Sequence, residues 1–407
     1  MATKKSKANR PAEVLEAFKI LEDLNPEAAY LDDNSLSTVT EWIDTGCMSL
    51  NAIISGSLNG GIPMGRITGF IGPESCGKTL MCNKIIANAQ KDRGMYVAYF
   101  DSEGALDEGT ATRLGADASK IKHAPVEITE KCRNQIVQFL DKVVATKQHG
   151  KYLIIIDSLG NLVTAQEKKK MDEGVETADM GNRAKVLKSM LRAITHAASR
   201  ANCPVVFTNH IYDDPSALHP SAIKNQAGGS GPKYMPSVVI QLAKKTEKAG
   251  KDQNNQNKNK DANDESTVLA KGINGLTIRA LTTKNRFVPP FLEIEMYLNF
   301  RTGLNRYSGL LELAESLEVL TKKGHQHVFE GETIGYFKNW KTDINVWNKI
   351  LPVLEEKLKT ELCFASASSN PDGLALQDIP GGSTEEEDDD DDDGTELAAA
   401  IGIDLES

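Results

Sequence analysis

Gly72-Pro73-Glu74-Ser75-Cys76-Gly77-Lys78-Thr79 follows the apolar run Ile67-Thr68-Gly69-Phe70-Ile71 and precedes Leu80-Met81-Cys82-Asn83-Lys84-Ile85-Ile86. This composition predicts strand, glycine-bounded loop, helix, and the loop fits the nucleotide-binding pattern G-x-x-x-x-G-K-[ST]. The two glycines permit torsions that a Cβ opposes. Successive N–H groups can then turn inward around phosphate oxygens, with the positive end of the helix beneath them. Lys78 supplies a point charge for the outer phosphates and Thr79 a hydroxyl for Mg²⁺.

Outward from the loop, apolar runs alternate with helical stretches. The runs are Tyr96 to Asp101, Tyr152 to Asp157, Pro204 to Asn209 and Ser237 to Ala243; the helical stretches include 80–93, 130–147 and 182–200. Nearly continuous apolar strands in such alternation predict an α/β fold, a mainly parallel twisted sheet flanked by helices on both faces. Ligands of such a sheet bind at the carboxyl ends of its strands. Residues 1–41 read as an N-terminal helix and linker, in which Val14, Leu15, Phe18, Ile20 and Leu21 recur at mostly helical spacing. That helix packs either on its own domain or on another subunit. Residues 42–66 combine a short helix with a glycine-proline turn. Two stretches, Glu167 to Val175 and Ile211 to Pro236, are expected as loops of functional length. Residues 246–266, rich in Lys, Asn, Gln and Asp, are expected as a disordered insertion between paired strands at 237–243 and 275–283. The core domain then spans 42–301, a small helical domain with a strand pair spans 302–366, and a linker with an acidic tail spans 367–407.

The chain's 407 residues are enough to bury a large core, and the net charge of −10 is unevenly distributed. Residues 385–407 hold twelve acidic and no basic side chains, which leaves the body at +2. A near-neutral body is compatible with nucleic-acid binding, and the tail either aids solubility or competes with DNA for basic loops. Six cysteines without C-x-x-C spacing argue against a zinc site and a disulfide framework. No apolar run reaches the roughly 18 residues of a membrane span, and the basic start has no apolar stretch after it. A soluble cytoplasmic protein is expected.

A phosphate loop binds nucleotide; cleavage needs further groups. Asp157 ends Leu153-Ile154-Ile155-Ile156, where a Walker B carboxylate belongs. Glu103 follows the strand ending at Asp101, near enough to polarise a water. His210 ends the next strand, where a polar side chain can touch a γ-phosphate and move the loop behind it.

These residues, in this order, make the chain resemble the RecA family of homologous recombinases, and its phage UvsX-like members in particular. The resemblance is carried by Thr45-Gly46-Cys47-Met48-Ser49-Leu50, Gly60-Gly61-Ile62-Pro63-Met64-Gly65-Arg66 and the phosphate loop, which departs from the usual bacterial form only at Cys76, where serine is common. It continues through Phe100-Asp101-Ser102-Glu103-Gly104-Ala105-Leu106-Asp107, Asp157-Ser158-Leu159 and Thr283-Lys284-Asn285-Arg286. Tyr307-Ser308-Gly309 and Gly331-Glu332-Thr333-Ile334-Gly335 extend it to about residue 340.

The resemblance implies a DNA-dependent ATPase, with ATP and Mg²⁺ as cofactors, that forms helical filaments on single-stranded DNA. It implies homologous pairing with duplex DNA and strand exchange in recombination, repair and recombination-dependent replication. Glu103 would activate the attacking water; Lys78 and Thr79 would hold phosphates and Mg²⁺, with Asp157 behind the metal. Lys284 and Arg286 would reach the γ-phosphate of the nucleotide on a neighbouring subunit. Asp107 and Tyr307 would flank adenine, and residues 167–177 and 211–232 would be the two DNA-binding loops. His210 departs from the glutamine usual in bacterial RecA proteins; phage recombinases place histidine there. Partners beyond DNA and the chain itself would be a single-strand-binding protein and a loading protein, which the segment Leu397 to Leu405 could dock. The alternatives are a hexameric helicase on the same core and a DNA-coating protein without productive turnover.

Overall fold

The run Leu153-Ile154-Ile155-Ile156 lies at the centre of the fold, its side chains alternating between two apolar clusters. Leu153 and Ile155 join Met81, Ile85 and Ile86 on one face, while Ile154 and Ile156 join Ile136, Leu140, Leu191 and Ile194 on the other. A pleated backbone imposes the alternation, and a strand apolar at every position must be covered on both faces. The computed structural model describes residues 12–25, 27–30, 38–175, 180–212, 223–244, 275–299 and 303–362.

The central sheet has nine strands: β1 (Ile67–Ile71), β2 (Tyr96–Asp101), β3 (Ile121–Pro125), β4 (Tyr152–Asp157), β5 (Val205–Asn209), β6 (Val238–Lys244), β7 (Gly275–Asn285), β8 (Glu293–Asn299) and β9 (Gly303–Leu304). Their order is β9-β8-β7-β6-β1-β5-β4-β2-β3. The six strands from β6 to β3 are parallel, and β7 to β9 are added antiparallel. The fold class read from the sequence is therefore observed. Three strands lie outside the expected runs: β3, β8 and the two-residue β9. In β3, Lys122, His123 and Pro125 hide the strand, because an edge has one neighbour and tolerates polar side chains. In β8 the pattern Glu293-Ile294-Glu295-Met296 alternates exposed with buried, so it lacks a continuous apolar run.

Helices α1 (Ala12–Leu24), α2 (Met48–Ser55), α3 (Lys78–Arg93), α4 (Glu108–Arg113), α5 (Thr129–Ala145), α6 (Ala165–Asp172), α7 (Met180–Ala201) and α8 (Ser230–Tyr234) connect and cover these strands. α2 and α3 contribute to one apolar cluster, and α5 and α7 to the other. α1 leaves Phe18, Ile20, Leu21 and Leu24 exposed. The expected loop from Glu167 is corrected by α6. Thr164 accepts from the Glu167 N–H at 3.0 Å and Glu167 accepts in return from the Thr164 N–H at 3.3 Å, a capping box. Lys168 pairs with Glu127 and Asp172, each at 3.1 Å, so capping and charge support a helix that has no apolar face. Within the expected long loop, Ile211–Tyr212 pairs with Asn225–Gln226 and α8 follows. The 246–266 insertion and the 367–407 tail lie outside the described residues.

Beyond β9 come α9 (Leu310–Ser316), α10 (Phe337–Trp340) and α11 (Ile344–Glu361), with a three-stranded sheet, Thr321–Lys323, Gln326–Phe329 and Glu332–Gly335, where a strand pair was expected. Short segments separated by Gly324 and Gly331 concealed the third strand. Leu310, Trp347, Ile350 and Leu354 share an apolar cluster with Met48 and Ala52 of α2.

Truncation of a side chain at the sheet centre should be costly. Ile155→Ala is expected to lower unfolding stability by about 2–5 kcal/mol in urea titrations. Ile20→Ser, on the exposed face of α1, should stay within about 0.5 kcal/mol in the dilute protein.

Candidate nucleotide-binding and catalytic site

The carboxyl ends of β1, β2, β4 and β5 bring the phosphate loop and its expected partners together. The Gly72 N–H donates to Asn209 O at 3.2 Å, tying the start of the loop to the end of β5. Gly77 caps α3 at φ +94°, a torsion L side chains rarely adopt, and a Cβ there would lie 3.1 Å from Ile278 Cδ1. Glycine alone fits without strain. Lys78 is buried, and its Nζ donates to Gly72 O at 3.0 Å and Pro73 O at 2.8 Å, which holds the ammonium within the loop. Burial pushes the Cys76 thiol above its ordinary pKa despite the nearby Lys78 charge, so the thiol fills space as a neutral group.

Asp157 is 1% exposed at the end of β4. Its Oδ2 accepts from Thr79 Oγ1 at 2.8 Å and from the Tyr99 hydroxyl at 2.7 Å, and its Oδ1 accepts from Thr208 Oγ1. Three hydroxyls thus satisfy a buried acceptor-only group. Thr79 and Asp157 present hard oxygens beside the phosphate loop, which suits Mg²⁺ completed by phosphate oxygens and water. The residues present fit that ion.

Glu103 stands across from this pair. Its Oε1 accepts from Ser158 Oγ at 2.5 Å and meets His210 Nε2 at 3.0 Å, a contact in which an Nε2–H donates. The two side chains are 24% and 30% exposed, so solvent reaches them. The Glu103 loop is wound around a buried carboxylate, Asp101. Asp101 Oδ1 accepts from the N–H groups of Glu103 at 3.0 Å, Gly104 at 2.7 Å and Ala105 at 3.3 Å; Oδ2 accepts from Leu106 N–H at 3.3 Å and meets His123 Nε2 at 3.0 Å. Burial alone would raise the Asp101 pKa, but His123 and the backbone donors together hold it below the ordinary carboxylate value. Ser102 adds a reciprocal bond, Oγ to Ser158 O at 2.7 Å and Ser158 N–H to Ser102 Oγ at 2.9 Å.

Four of the expected site residues, Lys284, Arg286, Asp107 and Tyr307, form no hydrogen bond with this cluster among the described residues. Lys284 is paired with Val239, and Val239 with Gly69, which places Lys284 level with the middle of β1. It lies about 10 Å across the sheet and about 10 Å back from the start of its own phosphate loop. Its Nζ donates to Tyr234 O, and burial together with the Arg286 charge pushes its pKa down to about 8. Asp107 caps α4 by accepting from Thr110 N–H at 2.6 Å, and the Tyr307 ring packs 5.9 Å from that of Trp347.

Sequence reading missed Asp101, Tyr99, Ser158 and Thr208 as members of the site. Asp101 ends an apolar strand as Asp157 does, and Thr208 interrupts one; those signals were present. Tyr99 gave none, since a tyrosine among apolar residues reads as core.

A sequence model of the RecA N-terminal domain matches residues 27–305. The chain is also similar to Protein RecA of Mannheimia haemolytica, 28% identical over 372 residues, covering 89% of this chain and 92% of that protein. Similarity to Protein RecA of Acinetobacter baylyi is 28% over 343 residues, 83% and 88% of the two chains. To Protein RecA 2 of Myxococcus xanthus it is 28% over 304 residues, 75% and 76%.

Asp101→Asn keeps the shape of the side chain but removes the charge from five hydrogen bonds. It should destabilise the fold by about 1.5–3 kcal/mol near neutral pH. Because the native pKa is depressed, the contribution is present above about pH 4 and lost as pH falls through the native value. Urea denaturation at several pH values should therefore show wild type and variant converging in acid.

Proposed function

The chain belongs to the RecA family, an ATP-dependent DNA recombinase and DNA-dependent ATPase, and from this premise we propose how its residues divide the work. The observation that carries the reading is the convergence of Lys78, Thr79, Asp157, Glu103 and His210 on one end of the parallel sheet. Gly72 to Thr79 enclose the phosphates of ATP, and Asp107 and Tyr307 flank its adenine. Thr79 and Asp157 would hold Mg²⁺, which would neutralise phosphate charge. Glu103 takes a proton from the attacking water. His210 exchanges Glu103 for the γ-phosphate, and so couples the nucleotide to the segment running from Ile211 toward α8. Histidine at this position supports a likeness to phage UvsX-like members.

Lys284 and Arg286 serve the nucleotide of the neighbouring subunit. The separation of Lys284 from its own phosphate loop, two strands across the sheet and three residues back along β1 from Gly72, supports this. Completion of each site by a second copy gives a filament on single-stranded DNA, and the exposed apolar side chains of α1 supply a further subunit contact. The 42–301 core then carries catalysis, with 302–366 as the small second domain. DNA is held through its phosphates, which makes binding sensitive to salt and tolerant of sequence. The protein acts in the cytoplasm; no helix among the described residues is long and apolar enough to cross a membrane. A single-strand-binding protein and a loading factor are partners of the segment Leu397 to Leu405. Family membership sets the helicase alternative aside.

Glu103→Ala should retain ATP and single-stranded DNA binding while DNA-stimulated turnover falls about 10²- to 10⁴-fold; full turnover would remove the assigned base. Mixtures of Glu103→Ala subunits with Lys284→Ala/Arg286→Ala subunits should hydrolyse ATP at hybrid interfaces faster than either alone, and absence of rescue at every ratio would refute the shared site. Lys284 with a pKa of about 8 loses its charge as pH rises through that value. Turnover should decline correspondingly, and Lys284→Arg, charged throughout, should flatten that limb of the pH–rate profile.

A further inference from the structure

Tyr99 sits on β2 with its side chain among Met81, Cys82, Ile85 and Ile155, and it is fully buried. Nothing in this packing calls for a hydroxyl; a phenylalanine would fill the same space. A buried tyrosine needs a partner for its O–H, and here that partner is the carboxylate behind the metal-binding hydroxyl. The Tyr99 O–H donates to Asp157 Oδ2 at 2.7 Å, the oxygen that also accepts from Thr79 Oγ1 at 2.8 Å. Thr208 holds the other oxygen from β5.

We propose that Tyr99 is a positioning residue for Mg²⁺-dependent nucleotide binding: its hydroxyl fixes the Asp157 carboxylate, which in turn aims the Thr79 hydroxyl at the cation. The proposal rests on the reading of Gly72 to Thr79 as the nucleotide site. When Thr79 donates its proton to Asp157, its oxygen lone pairs are left for the metal. Their direction depends on where Oδ2 stands. The bond from Thr208 to Oδ1 restrains the turn of the carboxylate about its Cβ–Cγ bond from one side, and the tether from β2 to Oδ2 restrains it from the other. Outer partners of this kind orient the groups that bind a metal, and losing one typically lowers metal affinity about 10- to 100-fold. Burial raises the Tyr99 phenol well above its ordinary pKa, so it remains a donor at every working pH. A negative charge never forms beside Asp157.

The test is Tyr99→Phe, which deletes one oxygen and leaves the ring. Binding of a fluorescent ATP analogue is titrated with Mg²⁺, and repeated in EDTA, for wild type, Tyr99→Phe and the neighbouring core variant Ile85→Val. The Mg²⁺ concentration for half-maximal enhancement of binding should rise about 10-fold or more in Tyr99→Phe alone, with affinity in EDTA unchanged. A Mg²⁺ titration superimposable on wild type overturns the proposal. So does an equal loss of affinity with and without Mg²⁺, or the same shift in Ile85→Val, since either makes the residue merely structural. Failure of the wild type to bind the analogue under any condition would instead refute the nucleotide site itself.

Discussion

The site depends on one buried charge. Asp157, 1% exposed, lies where water cannot solvate it, and an ionised carboxylate in such surroundings persists only if its lone pairs are filled. Its three hydroxyl donors come from α3, β2 and β5, so satisfying the charge also fixes how these elements meet. The phosphate loop between β1 and α3 is thereby located relative to two further strands of the parallel sheet. Removing the carboxylate while leaving the hydroxyls would strand the buried donors of Tyr99 and Thr208 and the part-buried one of Thr79, and removing any one hydroxyl would take a donor from the buried charge. The same carboxylate therefore serves the packing of the fold and the placement of Thr79.

A second buried carboxylate does for Glu103 what Asp157 does for Thr79. Asp101 ends β2 one strand away and gathers successive backbone N–H groups of the loop that follows. Both acids sit at the carboxyl end of an apolar strand, where the ladder runs out and N–H groups lack partners. One holds a hydroxyl from a helix, the other a turn of backbone. The seryl bridge between Ser102 and Ser158 joins the two strand ends directly, so Glu103 and the Thr79–Asp157 pair share one edge of the site.

Much of this was legible in the sequence because its signals are local. Gly72 to Thr79 specify a backbone conformation by glycine and charge, and the unbroken apolar strands declare a sheet covered on both faces. Asp157, Glu103 and His210 could be placed because each follows such a run. What stayed hidden depends on neighbours distant in sequence. β3 is polar because it lies at an edge, and α6 is helical because Thr164 and Glu167 cap one another and Lys168 finds Glu127. Tyr99 differs from a core aromatic only through a carboxylate 58 residues away. The place of Lys284 required the register of an antiparallel strand, which no periodicity reveals.

That register sets the geometry of assembly. β7 runs against β1, and the chain carries its phosphate loop beyond the end of β1 and Lys284 two strands away, level with the middle of β1. A two-fold dimer would have to match both of these places on two sheets at once. Head-to-tail stacking needs only one of them from each copy, and every added copy leaves the same unmatched pair exposed. Such a contact is heterologous, and unless its rotation happens to close a ring it continues without limit. Polarity along the resulting polymer is then written into the direction of a single strand.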